Sequence, residues 1–269
     1  SGVSLLNFSM EKTMNLKSKI VLALLATSSA AFAQTAPAAP EVTYNVGVVS
    51  QYRYRGIAQT KGDAALQGGA DYANANGFYA GAWGSTIKWI KDASIEQPGG
   101  KAAKGPVELD LYGGYKFEAA GVAYDVGYLR YEYVGNTYKD AYSTNVNANT
   151  DEIYGAATYG VFTAKYSHAI SNLFGWSNSR GSHYVDLSAT FDLGNGYSFV
   201  PHAGHQKVVN NATSYTDIAL TLNKDLGDGL AASVSAISTN GKGKGDFASY
   251  LTSYDAAKNT VVVGVKYSF

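Results

Sequence analysis

Serine–histidine hydrolysis or imidazole metal ligation in this chain would have to use its four histidines, His168, His183, His202 and His205, and the chain has no cysteine. A strand brings residues i and i+2 to one face. None of the four histidines is followed by a serine at that spacing, so no single strand offers a Ser–His pair of the kind that nucleophilic hydrolysis needs. "HAGHQ" sets His202 and His205 three apart, on opposite faces of a regular strand, which argues against their sharing a metal. The absence of cysteine also removes disulfides and thiolate metal sites. The sequence therefore nominates no catalytic residue, no cofactor site and no metal site.

The charged residues are spaced differently, recurring at every second position inside apolar runs. "VELDLYGGYKF" puts Val107, Leu109, Leu111 and Tyr115 on one face, with Glu108, Asp110, Tyr112 and Lys116 on the other. "SHYVDLSATFDL" likewise separates Val185, Leu187, Ala189 and Phe191 from Asp186, Ser188 and Thr190. Extended along the chain, this parity nominates Arg53, Arg55, Asp71, Lys88, Glu108, Asp110, Lys116, Asp125, Lys165, Asp186, Asp217 and Lys266 as one inward-facing set. Charges of both signs on one face can form a hydrated, ion-selecting conduit or an internal salt-bridge network. Both readings stay open at this point.

What must position such a set is a ring of strands. "EVTYNVGVVSQYRYRG" alternates from Glu41 to Gly56, too long for a soluble sandwich strand but long enough to cross a membrane on a tilt. The same pattern predicts strands near 41–55, 63–73, 77–89, 106–117, 121–133, 150–159, 161–170, 182–193, 196–207, 214–224, 229–239 and 258–269. Every second connection is tight ("NANG", "EAAG", "TYGV", "GNG", "LGDG"), and Asn-Gly and Asp-Gly are strong hairpin signals. The other connections are mostly long and polar, such as 90–105, 134–149, 171–181 and 240–257. Short turns on one rim and long loops on the other mark an outer-membrane barrel. The predicted fold is all-β: a closed, antiparallel, up-and-down transmembrane β-barrel of about twelve strands, the last pairing with the first because hydrocarbon tolerates no open sheet edge.

Aromatic residues should form girdles at both interfaces. At the short-turn rim we expect Tyr44, Tyr72, Tyr79, Tyr115, Phe117, Tyr124, Tyr159, Tyr267 and Phe269 among others. At the long-loop rim we expect Tyr52, Tyr54, Trp89, Tyr131 and Tyr133.

The N-terminal third carries a further signal. "MNLKSKIVLALLATSSAAFAQ" has Lys17 and Lys19, a short apolar run and the small-residue exit Ala31-Phe32-Ala33, the pattern of an export signal cleaved after Ala33. The expected organisation is an upstream extension (1–13), a signal peptide (14–33), a short lead (34–40) and the barrel (41–269). Removing 1–33 leaves 18 basic and 20 acidic residues, a net charge of −2. Nothing in that balance points to nucleic acid. The "GKGKG" stretch (241–245) reads as a solvated loop, with lipopolysaccharide phosphate as a weaker alternative ligand.

The blocks "NVGVVSQYRYRGIAQT", "ALQGGADY", "GFYAGAWGS", "DLYGGYKF", "YDVGYLRYEY", "HAGHQ" and "VVGVKYSF" together resemble the TorF-type putative porin family of exported Gram-negative proteins. The resemblance covers essentially the whole mature chain, except that loop 240–257 has no matching block. It implies an outer-membrane barrel of porin type and brings no catalytic residues. A terminal aromatic strand such as Tyr267-Ser268-Phe269 further implies recognition by the barrel-assembly machinery. The expected function is passive passage of small hydrophilic solutes or ions. The alternatives are a narrow or closed structural or ligand-binding barrel and, second, a lipid-modifying enzyme. Expected partners are outer-membrane lipids and lipopolysaccharide, the assembly machinery and the solutes themselves.

Overall fold

The computed structural model describes residues 40–95, 99–210, 214–241 and 254–269. Its strands are β1 (Glu41–Val49), β2 (Arg53–Tyr54), β3 (Ile57–Ala58), β4 (Ala65–Ala73), β5 (Phe78–Thr86), β6 (Val107–Ala119), β7 (Val122–Tyr133) and β8 (Thr150–Tyr159). They continue as β9 (Phe162–Ala169), β10 (His183–Ala189), β11 (Phe191–Gly194), β12 (Tyr197–Lys207), β13 (Tyr215–Gly227), β14 (Leu230–Thr239) and β15 (Thr260–Ser268). Two short helices, α1 (Trp89–Ile95) and α2 (Tyr138–Ala141), lie in long loops. The predicted export signal with Ala31 and Ala33, most of the "GKGKG" stretch and most of loop 240–257 fall outside the described residues.

All strands except β2 and β3 join one antiparallel sheet. β10 and β11 succeed each other along the edge of β12 and occupy a single barrel position, which leaves twelve positions. The ring closes where β1 pairs with β15, from Asn45 opposite Ser268 to Val49 opposite Gly264. Across the middle of the barrel the outward faces are apolar: on β1, Val42, Tyr44, Val46 and Val48 are exposed, while Thr43, Asn45 and Gly47 between them are half-buried. A continuous apolar exterior on a closed sheet is a surface made for hydrocarbon.

The tight turns obey their sequences. Asp228 and Gly229 both have positive φ, 51° and 83°, as a two-residue type I′ hairpin turn requires. The predicted turn at Asn195-Gly196 has the same geometry, with φ of 52° and 77°.

The inner wall is built on paired tyrosines and glycines. Tyr112 stands opposite Gly81, Tyr79 opposite Gly114 and Tyr154 opposite Gly127. In each pair the ring lies over the glycine, and a Cβ on Gly127 would sit 2.5 Å from the Tyr154 hydroxyl. Glycine here makes room for a ring to lie flat along the wall instead of projecting across the lumen.

Three sequence expectations need correction. The first strand ends at Val49 rather than 55, because the chain leaves the barrel wall at Ser50 and turns inward. The predicted long-loop girdle is not on the lipid side: Tyr52, Tyr54, Trp89, Tyr131 and Tyr133 are all buried, at 1–7% exposure. On β7 the parity that turns Asp125 inward also turns Tyr131 and Tyr133 inward, while Trp89 belongs to α1. Tyr79, expected in the short-turn girdle, faces the lumen and donates to Asp125.

Those buried aromatics form a core at the long-loop end. Phe174 packs edge-on against Tyr54, Tyr131 and Tyr133. Trp89 does the same with Tyr133 and Tyr138. Ile57, Ala58, Ile90, Leu173, Val208, Ala256 and Ala257 belong to the same cluster. The long loops thus carry a hydrophobic core of their own, a cap packed over the mouth of the barrel.

Candidate functional site

The segment that leaves β1 is the feature that organises the interior. Every residue from Gln51 to Thr60 is buried. Within it β2 and β3 pair as a hairpin, Arg53 opposite Ala58 and Tyr54 opposite Ile57, turning on Arg55 and Gly56. Both turn residues have positive φ, 45° and 76°. Arg-Gly is therefore a type I′ turn built on an uncommon first residue, since a side chain tolerates that region poorly.

The hairpin crosses the lumen and is tied to the wall on many sides. The Tyr52 hydroxyl donates to Glu108 of β6 at 2.7 Å. The hydroxyls of Tyr54 and Tyr131 of β7 lie 2.5 Å apart, and Tyr131 donates to Glu152 at 3.1 Å. Arg55 grips Glu152 of β8 through both terminal nitrogens, at 2.9 and 2.8 Å, and donates to Gln206 of β12 at 2.8 Å. Its guanidinium lies 4.4 Å from the ring centre of Tyr184 on β10. Arg53 donates to the carbonyls of Gly56 and Ala256, and Thr239 of β14 donates to the Gly56 carbonyl. A Cβ on Gly56 would stand 2.3 Å from the Thr239 hydroxyl, so the tip seats directly on the far wall. We call residues 51–60 the plug.

The wall beneath the plug is polar, with tyrosine hydroxyls donating hydrogen bonds to carboxylates. Tyr79 donates to Asp125 at 2.6 Å and meets the Tyr154 hydroxyl; Tyr112 donates to Asp71. Tyr184 donates to Asp217 at 2.9 Å. His202 lies 2.9 Å from Asp186 and 3.6 Å from Asp217. Lys116 and Lys165 stand over the rings of Tyr79 and Tyr154, at 5.0 and 4.2 Å. Such cation–π contacts hold an ammonium without neutralising it.

Most residues nominated by parity sit on this inner surface. Glu108, Asp110, Asp125, Lys165, Asp186 and Asp217 are buried on inward strand faces; Asp71, Lys116 and Lys266 are half-buried there. Arg53 and Arg55 are interior too, but as parts of the plug rather than of the wall. Lys88 is a correction: β5 ends at Thr86, and the Lys88 side chain, half exposed, pairs with Asp63 at the long-loop rim. Glu152, Gln206 and Tyr184 were missed. The parity of "TDEIYG" around Ile153 could have found Glu152, whereas no local signal marks the residue that Arg55 would reach. The two histidines divide as spacing requires, His202 inward and His205 outward, where its Nδ1 lies 2.9 Å from the Thr216 hydroxyl.

Residues 33–269 match a family described as bacterial protein of unknown function (Gcw_chp). The chain belongs to that family. No curated protein matches its sequence. Among solved structures it is similar to the KdgM porin, with a TM-score of 0.50 and 9% identity over 85% of this chain and 98% of that one. The KdgM porin in complex with disordered oligogalacturonate gives a TM-score of 0.51, also at 9% identity, over 85% of this chain and 98% of that one. A NanC porin in a rhombohedral crystal form gives 0.49 at 10% identity, over 84% and 99%. The likeness to the KdgM porin is one of fold, a closed antiparallel β-barrel that has twelve strand positions in this chain.

Proposed function

We propose that the protein is a porin-like channel of the bacterial outer membrane, exported by residues 14–33 and passing small hydrophilic solutes or ions by diffusion. The observation that carries this reading is the division of the wall, apolar outward across the middle of the barrel and charged inward. Apolar residues would fill a sealed interior at lower cost than charged ones, so an inner wall that carries carboxylates and lysines on most of its strands supports a conduit for polar solutes. The ordered sequence blocks that resemble TorF-type porins support the same reading.

A specific observation favours a second reading, a closed barrel without general pore activity: residues 51–60 are buried throughout and a hydrophobic cap covers the mouth. Single-channel recording in planar bilayers separates the two. Conductance steps from protein whose folded state is verified by heat-dependent migration on SDS gels are expected. Silence from such protein, with residues 51–60 shortened as well as intact, would replace the first reading by the second.

The enzyme alternative finds little support. His205 and Thr216 form a pair on the outward face, but among the described residues no carboxylate bonds to His205 to orient it as a base.

A further inference from the structure

The plug brings its own cations into an acidic barrel. Of the charged groups that the strands turn inward between the rims, seven are carboxylates (Asp71, Glu108, Asp110, Asp125, Glu152, Asp186, Asp217) and three are lysines. Arg53 and Arg55 of the plug supply the balancing charge at the long-loop end. Taken away with the plug, they would leave a wall dominated by carboxylates, and a ring of carboxylates favours cations.

Arg55 also shows what the wall can hold. Glu152 accepts both terminal nitrogens of the guanidinium, Gln206 accepts a second hydrogen bond from one of them, and the Tyr184 ring covers a face at 4.4 Å. That is a fork-to-fork carboxylate contact with an aromatic cover, the geometry suited to a planar guanidinium rather than to a compact ammonium. All three residues belong to the barrel, on β8, β12 and β10, so the receptor does not move with the loop that fills it.

The fit is incomplete. Arg55 Nε is buried without a hydrogen-bond partner, and on the neighbouring wall Asp110 Oδ1 is likewise buried and unpartnered among the described residues. The Arg55 backbone is held at φ 45°, in the strained left-handed region. A free guanidinium would meet the same wall without that backbone cost.

We propose that Glu152, Gln206 and Tyr184 form a guanidinium site, that Arg55 occupies it in the plugged barrel, and that solutes bearing a guanidinium group displace Arg55 and pass preferentially. This rests on the channel reading above. Arg55 is the internal stand-in for the solute, and the plug is released by the class of molecule the wall selects.

The test is single-channel recording of the full chain in planar bilayers, with L-arginine or its neutral isostere citrulline added on the long-loop side. Wild-type protein should show a severalfold rise in open probability with arginine and none with citrulline. R55A should be open without arginine, more cation-selective than wild type, and newly blocked by guanidinium chloride at millimolar concentration. R55K, which keeps the charge but loses the fork, should open at lower arginine concentration than wild type. Identical conductance and selectivity in wild type and R55A, or equal responses to arginine and citrulline, would overturn the proposal and leave the channel reading standing. Silence from both folded proteins removes the channel reading instead. In that case the site is judged by binding: millimolar guanidinium chloride should raise the temperature at which R55A loses its folded gel band, and should not do so for the double variant R55A/E152Q. A shift that survives E152Q would overturn the site itself.

Discussion

Arg55 and Glu152, 97 residues apart in sequence, meet through two hydrogen bonds of 2.9 and 2.8 Å with both side chains about 1% exposed. Removing one partner of a buried pair strands the other, at a cost of about 3–5 kcal/mol. For Glu152→Ala that cost falls on the plug rather than on the strand ladder. Trypsin should then cut at Arg53 or Arg55 in folded protein, while heat-dependent gel migration is retained. A plug as resistant as in wild type would show that the pair does not hold it.

Gly127 faces the Tyr154 ring, and an added Cβ would lie 2.5 Å from its hydroxyl and 2.8 Å from the Gly113 carbonyl. Overpacking of this kind costs about 1–3 kcal/mol. Gly127→Ala should lower the urea midpoint of the folded barrel, and Tyr154→Ala in the same chain should recover part of the loss. No recovery would place the strain on the backbone carbonyl instead.

Phe174 sits edge-on to three tyrosines in the cap. Its truncation to alanine removes contacts worth about 3–5 kcal/mol. Hydrogen exchange should accelerate in α1, α2 and the plug and stay slow in β5–β8. Uniform acceleration would mean that cap and barrel unfold as one unit.

Phe269 closes the seam. Its amide and carbonyl bond those of Tyr44 at 2.9 and 2.8 Å, and its ring stacks on the Tyr44 ring at 5.7 Å. Deleting Phe269 should reduce the amount of barrel assembled at the cell surface, with little change in the conductance of molecules that do assemble. Normal surface levels would refute a role for this residue in assembly.

Much of this architecture was legible from two local rules, alternation and turn chemistry. Charged residues at every second position identified the inner wall, and Asn195-Gly196 and Asp228-Gly229 located hairpins that the structure contains. The plug escaped because Tyr52 and Tyr54 continue the alternation of β1, so the sequence reads as one long strand. Its turn is Arg55-Gly56, where the first residue gives no conformational warning. Lipid-facing and cap-facing aromatics also look alike, since a tyrosine buried among other rings and one at a membrane interface satisfy the same preference for an apolar body and a polar tip. What distinguishes Tyr131 from Tyr124 is strand parity alone. The partners of Arg55 lie on strands far along the chain, and only closure of the ring brings them together.

The seam strand and the plug are one continuous piece of chain. β1 is hydrogen-bonded to β15, Ser50 still bonds Val263, and the next residue already points inward. Pairing of β1 with β15 therefore fixes the point on the wall from which residues 51–60 enter the lumen. A barrel built this way would narrow its own lumen as the wall closes, and would not pass through a wide-open stage on the way to the folded state.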